Sequence, residues 1–158
     1  MQNSQQTIMI VDDEEMVLTS LAGYLGLETE YTVVTYTSAR GALQWVADHE
    51  VDVIVSDFLM PEMDGLTFLR QARDLKPDVP RIILTGYADK ENAIKAINEV
   101  GLFHYIEKPW DNDDLRIILR NGVEKRQLLR RLRDKIGEIT RAHAELRDIQ
   151  QEILKAFA

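Results

Sequence analysis

Short runs of apolar, β-branched and aromatic residues recur five times before residue 110, and segments of helical periodicity separate them. The runs are Ile8–Val11, Tyr31–Tyr36, Val51–Val55, Ile82–Leu84 and Phe103–Ile106. Most are apolar at consecutive positions, the pattern of strands buried on both faces of a parallel sheet. Between them, apolar residues recur at spacings of three to four: Met16, Leu18, Leu21, Ala22 and Leu25; then Ala42, Leu43, Val46 and Ala47. Leu66, Leu69, Ala72 and Leu75 mark a third helix, and Ala93, Ile94, Ile97 and Val100 a fourth. Ser38 is placed to cap the second helix and Asp111 the fifth, with Asp114 three positions on. Gly101 follows the fourth helix, where a left-handed residue is favoured. The alternation predicts an α/β, doubly wound (βα)5 domain with a parallel five-stranded sheet. Right-handed crossovers place its helices on both faces, and ligands of such sheets sit at the carboxyl ends of the strands.

The fifth helix has no closing Gly-Pro signal and is expected to run through Gly122 and Gly137 to the end of the chain. Leu129, Leu132, Ile136, Ile139, His143, Leu146, Gln150, Ile153 and Phe157 fall at alternating spacings of three and four, a coiled-coil stripe. The expected organisation is therefore a domain over residues 1–122 and a coiled-coil extension over residues 123–158. In this register no pair flanking the stripe joins opposite charges, so the flanks do not choose a partner. The apolar Ile149–Leu154 pair widens the stripe near its end. His143 and Gln150 fall at inward positions, where polar residues set register. His104 falls within a strand.

Composition narrows the chemistry. The chain has no cysteine and only three histidines, none near another, which excludes disulfides, thiol nucleophiles and a zinc centre built from these residues. The formal net charge of −8 is unevenly spread: residues 1–121 carry 10 basic against 21 acidic residues, and residues 122–158 carry 9 against 6. An acidic body argues against direct nucleic-acid binding. The basic run Lys125, Arg126, Arg130, Arg131, Arg133 and Lys135 reads as a solvated helix surface. No apolar run reaches membrane-span length and the amino terminus lacks a signal-peptide pattern, so a cytoplasmic protein without membrane contact is expected.

The expected strand ends bring together an unusual set. The first run leads into Asp12 and Asp13, the third into Asp57, the fourth into Thr85, and the fifth into Lys108-Pro109. Neighbouring carboxylates repel one another, and an oxygen-only set suits a hard divalent cation, Mg²⁺ above all. A carboxylate in such a site can attack phosphorus to form an acyl phosphate. A lysine and a hydroxyl then balance the phosphoryl charge. Taken alone, Asp12 and Asp13 serve equally well as acids at a helix start.

The strings VDDEE at 11–15, SDFLMPEMDG at 56–65, LTGYAD at 84–89 and YIEKPW at 105–110 stand in order on those strand ends. With them, the chain resembles the receiver domain of bacterial two-component response regulators over roughly Gln6 to Gly122. The resemblance implies a flavodoxin-like three-layer fold with strand order 2-1-3-4-5. It further implies Asp57 as phosphoacceptor and Asp12, Asp13, Asp57 and the Leu59 backbone carbonyl as ligands of Mg²⁺. Thr85 matches the switch hydroxyl, Tyr105 the aromatic switch, and Lys108 the lysine before a cis-type Pro109. Gly65 stands in a turn where a positive φ would suit it, and Gly86 leaves room for the phosphoryl group. Apolar Leu59 and bulky Tyr87 flank the acceptor in the family and imply slow loss of the phosphoryl group. Trp110, Met60 and Met63 are expected to pack.

The expected function is a phosphorelay signalling module, not an enzyme, fed by a sensor histidine kinase. Its expected assembly is a homodimer through the last helix, with an output domain outside this chain. The alternative is a phosphorylation-independent structural dimerisation module with a receiver fold. A phosphohydrolase like the haloacid dehalogenases is disfavoured, because Leu59 stands where those enzymes place a second Asp.

Overall fold

The computed structural model describes residues 5–157. Its elements alternate as the periodicity predicts: β1 (Thr7–Val11), α1 (Glu15–Glu28), β2 (Thr32–Tyr36), α2 (Ala39–Asp48), β3 (Val53–Asp57) and α3 (Gly65–Leu75). There follow β4 (Arg81–Thr85), a 3₁₀ turn (Tyr87–Asp89), α4 (Lys90–Val100), β5 (His104–Glu107) and α5 (Asn112–Ala156). All strands are parallel, in the order β2-β1-β3-β4-β5. The chain divides into two compact units, one ending at Arg126 and the other beginning at Gln127.

The consecutive apolar runs are explained by a core on each face of the sheet. Met9, Val11, Ile54 and Ile83 pack with Val46, Phe68, Leu69 and Ala96 from α2, α3 and α4. Ile8, Ile10, Val53, Val55, Ile82 and Leu84 point the other way, onto Leu21 and Leu25 of α1 and Leu115, Leu119 and Val123 of α5. Side chains alternate along a strand, so a strand with a core on each side must be apolar at every position. Each fully buried Leu, Ile or Val contributes about 1.5–3 kcal/mol. The edge strands depart from this pattern: Thr32 and Thr35 of β2 and His104 of β5 are exposed. On α1 the buried face is Leu18, Leu21 and Leu25, while Met16 is 84% exposed. On α4 it is Ala93, Ala96 and Val100, with Ile94 turned outward.

Local chemistry sets the helix ends. The Ser38 hydroxyl accepts the Gly41 N–H at 3.3 Å, and the Asp111 carboxylate accepts the N–H groups of Asp113 and Asp114 at 2.9 and 3.1 Å. Asp64 caps α3 by accepting the Thr67 N–H at 2.7 Å. Gly101 ends α4 at φ 75°. Gly65 does not have the positive φ expected of it; that conformation falls on Glu62, at φ 69°. Glycine is needed at 65 for a different reason. A Cβ there would lie 1.9 Å from the backbone carbonyl oxygen of Asp57, so α3 can begin hard against the end of β3 only without a side chain.

Two buried arginines brace the body away from the carboxyl ends of the strands. Arg81 donates to the carbonyls of Leu69, Val100 and Gly101, the last at 2.8 Å, and the last two are carbonyls that the end of α4 leaves unbonded. Arg126 is not the solvated residue its basic run suggested. It is 5% exposed, and its two terminal nitrogens each sit 2.6 Å from a carboxylate, those of Asp52 and Glu50. Those acids stand in the turn before β3 and draw the arginine inward.

The second unit is a helix from Gln127 onward. Along it Leu132, Ile136, Ile139, Leu146, Ile153 and Phe157 are each more than half exposed. No helix among the described residues is long and apolar enough to cross a membrane.

Candidate functional site

The strand register aligns the carboxyl ends. Val11 pairs with Ser56, Asp57 with Leu84, and Thr85 with Glu107. The residues just beyond therefore meet at one edge: Asp12 and Asp13 after β1, Asp57 and Thr85 as the last residues of β3 and β4, and Lys108 after β5. One carboxylate oxygen from each of Asp12, Asp13 and Asp57 lies within 4.8 Å of the others. Asp12 is fully buried, Asp57 is 8% exposed, and Asp13 opens to solvent.

The Lys108 ammonium reaches into this group, 3.1 Å from Asp57 Oδ1 and 3.2 Å from Asp12 Oδ2. Backbone donors hold the two buried acids. The Phe58 N–H donates to Asp57 Oδ1 at 2.9 Å, and the Glu14 N–H donates to Asp12 Oδ1 at 2.9 Å. Burial pushes the Asp57 carboxyl up from the ordinary range; the Lys108 hydrogen bond opposes this and the charge of Asp12 adds to it. Burial works against the charge on Lys108 as well, but Asp57 and Asp12 outweigh it and its pKa is raised. One ammonium balances one of three carboxylates, so the site retains excess negative charge. Its donors are all oxygen, and Asp13 faces water. A hard divalent cation that keeps some of its own waters fits this set.

Thr85 is fully buried, and its hydroxyl donates to the Gly86 carbonyl at 3.1 Å. The Lys108 N–H donates to the Thr85 carbonyl at 2.8 Å, joining β4 to the loop that carries the lysine. The Lys108–Pro109 bond is cis. Tyr105 is half-buried against the α3–α4 side of the core, and Met60 and Met63 pack there too. Trp110 packs on the opposite core. Leu59 and Tyr87 are 62% and 86% exposed, and a Cβ added at Gly86 would meet nothing within 4 Å.

All the acidic, hydroxyl and lysine positions singled out in the sequence therefore converge on one edge. Sequence reasoning missed the backbone donors of Phe58 and Glu14, whose direction depends on loop geometry that no side-chain pattern encodes. It also missed an ion pair between Lys90 and Glu107, 3.3 Å apart. The signal was a lysine opening one helix and a glutamate ending the next strand, which become neighbours only once the sheet order is known.

The sequence matches the response regulator receiver domain family over residues 8–120. It is 35% identical over 93% of its length to HoxA, a hydrogenase transcriptional regulatory protein of Cupriavidus necator, and covers 29% of that protein. It is 39% identical over 67% of its length to the transcriptional regulatory protein FixJ of Rhizobium meliloti, and covers 51% of it. The chain thus spans about a quarter to a half of these relatives. The signal receiver domain of an HD domain-containing protein from Pseudomonas fluorescens Pf-5 superposes with a TM-score of 0.77 at 35% identity, covering 83% of this chain and 96% of that one. With the strand order and the site geometry, these matches establish that the chain belongs to the response regulator receiver domain family.

Proposed function

We propose that this chain is a phosphorylation-operated receiver that takes a phosphoryl group on Asp57 from the phosphohistidine of a sensor kinase. The observation that carries the reading is the Lys108 ammonium 3.1 Å from an oxygen of a buried aspartate that stands among two further carboxylates. Asp12, Asp13, Asp57 and the Leu59 backbone carbonyl would hold Mg²⁺, which supplies charge neutralisation to the transferring phosphoryl oxygens. An Asp57 oxygen attacks phosphorus, the phosphorus–nitrogen bond breaks, and the imidazole leaves with its electron pair and takes up a proton. Lys108 offsets the charge that builds on the phosphoryl oxygens. Thr85 then exchanges the Gly86 carbonyl for a phosphoryl oxygen, Tyr105 follows, and the change spreads into α4 and β5. Leu59 and Tyr87, at the positions that flank the acceptor in the family, would slow attack by water.

The first unit forms the switch on this reading, with the 123–126 stretch of the expected extension packed into it, and the helix from Gln127 onward is a dimerisation helix leading to an output domain outside the chain. The exposed stripe Leu132, Ile136, Ile139, Leu146 and Ile153 supports a homodimer, because a single copy leaves it in water. The names of HoxA and FixJ make a transcriptional output the natural expectation. The receiver itself acts in the cytoplasm, turns over no separate substrate, and contacts neither DNA nor membrane.

The test is intact mass after acetyl phosphate treatment with Mg²⁺. One phosphoryl adduct is expected, absent in Asp57→Ala and absent without Mg²⁺. Light scattering on Ile139→Asp tests the dimer, which this charge in the stripe is expected to dissociate. An unmodified wild-type chain that still dimerises would favour the structural-module reading.

A further inference from the structure

The 86–90 segment follows Thr85 directly at the site edge, and Tyr87 and Ala88 within it are exposed. It is fastened to β5 at both ends. At one end Thr85 lies in register with Glu107, and its carbonyl accepts the Lys108 N–H at 2.8 Å. At the other, the ammonium of Lys90, the first residue of α4, lies 3.3 Å from the carboxylate of Glu107, the last residue of β5. Between these points the chain makes a 3₁₀ turn, Tyr87–Asp89. The Gly86 carbonyl holds that turn by accepting both the Thr85 hydroxyl at 3.1 Å and the Asp89 N–H at 3.2 Å. The hydrogen bond to the Glu107 carboxylate raises the pKa of Lys90, and the glutamate's charge adds to this.

We propose that the Lys90–Glu107 ion pair is a tether that holds the 86–90 segment in its resting arrangement, making both residues positioning residues for the Thr85 switch. The inference rests on the phosphoacceptor reading of Asp57. Thr85 can turn its hydroxyl to a phosphoryl group only by leaving the Gly86 carbonyl, which frees the turn that follows. The turn cannot travel far while Lys90 remains bound to the residue beside Lys108. Breaking the pair therefore raises the population of the switched arrangement before any phosphoryl group arrives. A receiver that reacts from that arrangement reacts faster in proportion.

The pair is more than one-third exposed on both sides, 39% and 37%, so its effect is modest and screened by salt. Lys90→Ala and Glu107→Gln are each expected to speed phosphorylation by acetyl phosphate about two- to fivefold, the range open to an exposed pair. Lys90→Arg keeps the wild-type rate. The swapped chain Lys90→Glu with Glu107→Lys restores it, which loss of packing alone would not do. High salt removes the difference between wild type and the single variants. Hydrogen exchange on the unphosphorylated proteins supplies an independent measurement: the 86–90 amides are expected to exchange faster in the single variants only.

Single variants that react at the wild-type rate or slower would overturn the tether, as would a swapped chain that stays fast. Unchanged exchange at 86–90 would overturn it too. A wild-type chain that accepts no phosphoryl group, with exchange altered as expected, would overturn the phosphoacceptor reading and with it the role assigned to the pair.

Discussion

Replacing Gly65 by Ala tests how tightly β3 is wedged against α3. The added Cβ would sit 1.9 Å from the Asp57 carbonyl oxygen, 2.9 Å from its carbon and 3.2 Å from the Phe58 Cα. All three neighbours are backbone, so no side chain can swing aside, and the separation must grow by about 1 Å to reach even the closest tolerated contact. If β3 retreats, it strains its pairing with β4, including the Phe58 N–H to Leu84 carbonyl bond at 2.9 Å. If α3 retreats, the Gly65 N–H to Phe58 carbonyl bond at 2.9 Å is lost. Overpacking costs about 1–3 kcal/mol and a lost buried hydrogen bond about 1 kcal/mol more. The expected destabilisation is thus about 2–4 kcal/mol, a Tm fall on the order of 10 °C for a domain of this size. Tryptophan fluorescence suits the assay, because Trp45 and Trp110 pack on opposite cores of the same unit. Gly86→Ala is the control: it has open space and φ −81°, and its Tm should stay near wild type. A Gly65→Ala melt within about 2 °C of wild type would refute the steric argument, since it would put the cost below about 1 kcal/mol.

Three further outcomes follow from the same geometry. Glu62→Gly relieves a non-glycine residue at φ 69° and should stabilise by about 0.5–1 kcal/mol once the greater freedom of unfolded glycine is subtracted, seen as a higher urea midpoint at constant slope. Asp57 has a raised pKa, so the stability linked to it is present where it is protonated and is lost as pH rises through that value. Asp57→Asn should therefore melt above wild type at neutral pH, by a margin that shrinks towards about pH 4 and narrows when Mg²⁺ is added. Arg126→Ala strands the mostly buried Asp52 carboxylate beside Glu50 and should cost about 2 kcal/mol in a denaturant titration, with Arg126→Lys recovering part of it.

The sheet, its helices and the converging edge were all legible in the sequence, because each rests on a strong local pattern. Uninterrupted apolar runs such as Val53–Val55 are what a strand between two cores requires, and Asp57, Thr85 and Lys108 follow such runs within two residues. The spatial order of the strands was not carried by any run and came from the likeness to a family. What stayed hidden depends on backbone direction or distant pairing. Gly65 reads identically whether glycine is needed for φ or for space, and only the approach of the Asp57 carbonyl distinguishes them. Arg126 sits in a run of basic residues like any solvated helix face, and only the fold brings Asp52 and Glu50 to it, 74 and 76 residues away. Met16 and Ile94 fit the helical spacing yet lie outside the core, because a period of 3.6 leaves neighbouring positions at the margin of a face.

The lysine that touches both buried aspartates lies 96 residues from one and 51 from the other. Asp57 and Asp12 therefore gain their counter-charge only when β5 has closed onto β4. During synthesis, a chain still lacking its last strand has the two acids without the ammonium that balances them. The balance of charge at this edge therefore arrives together with completion of the fold.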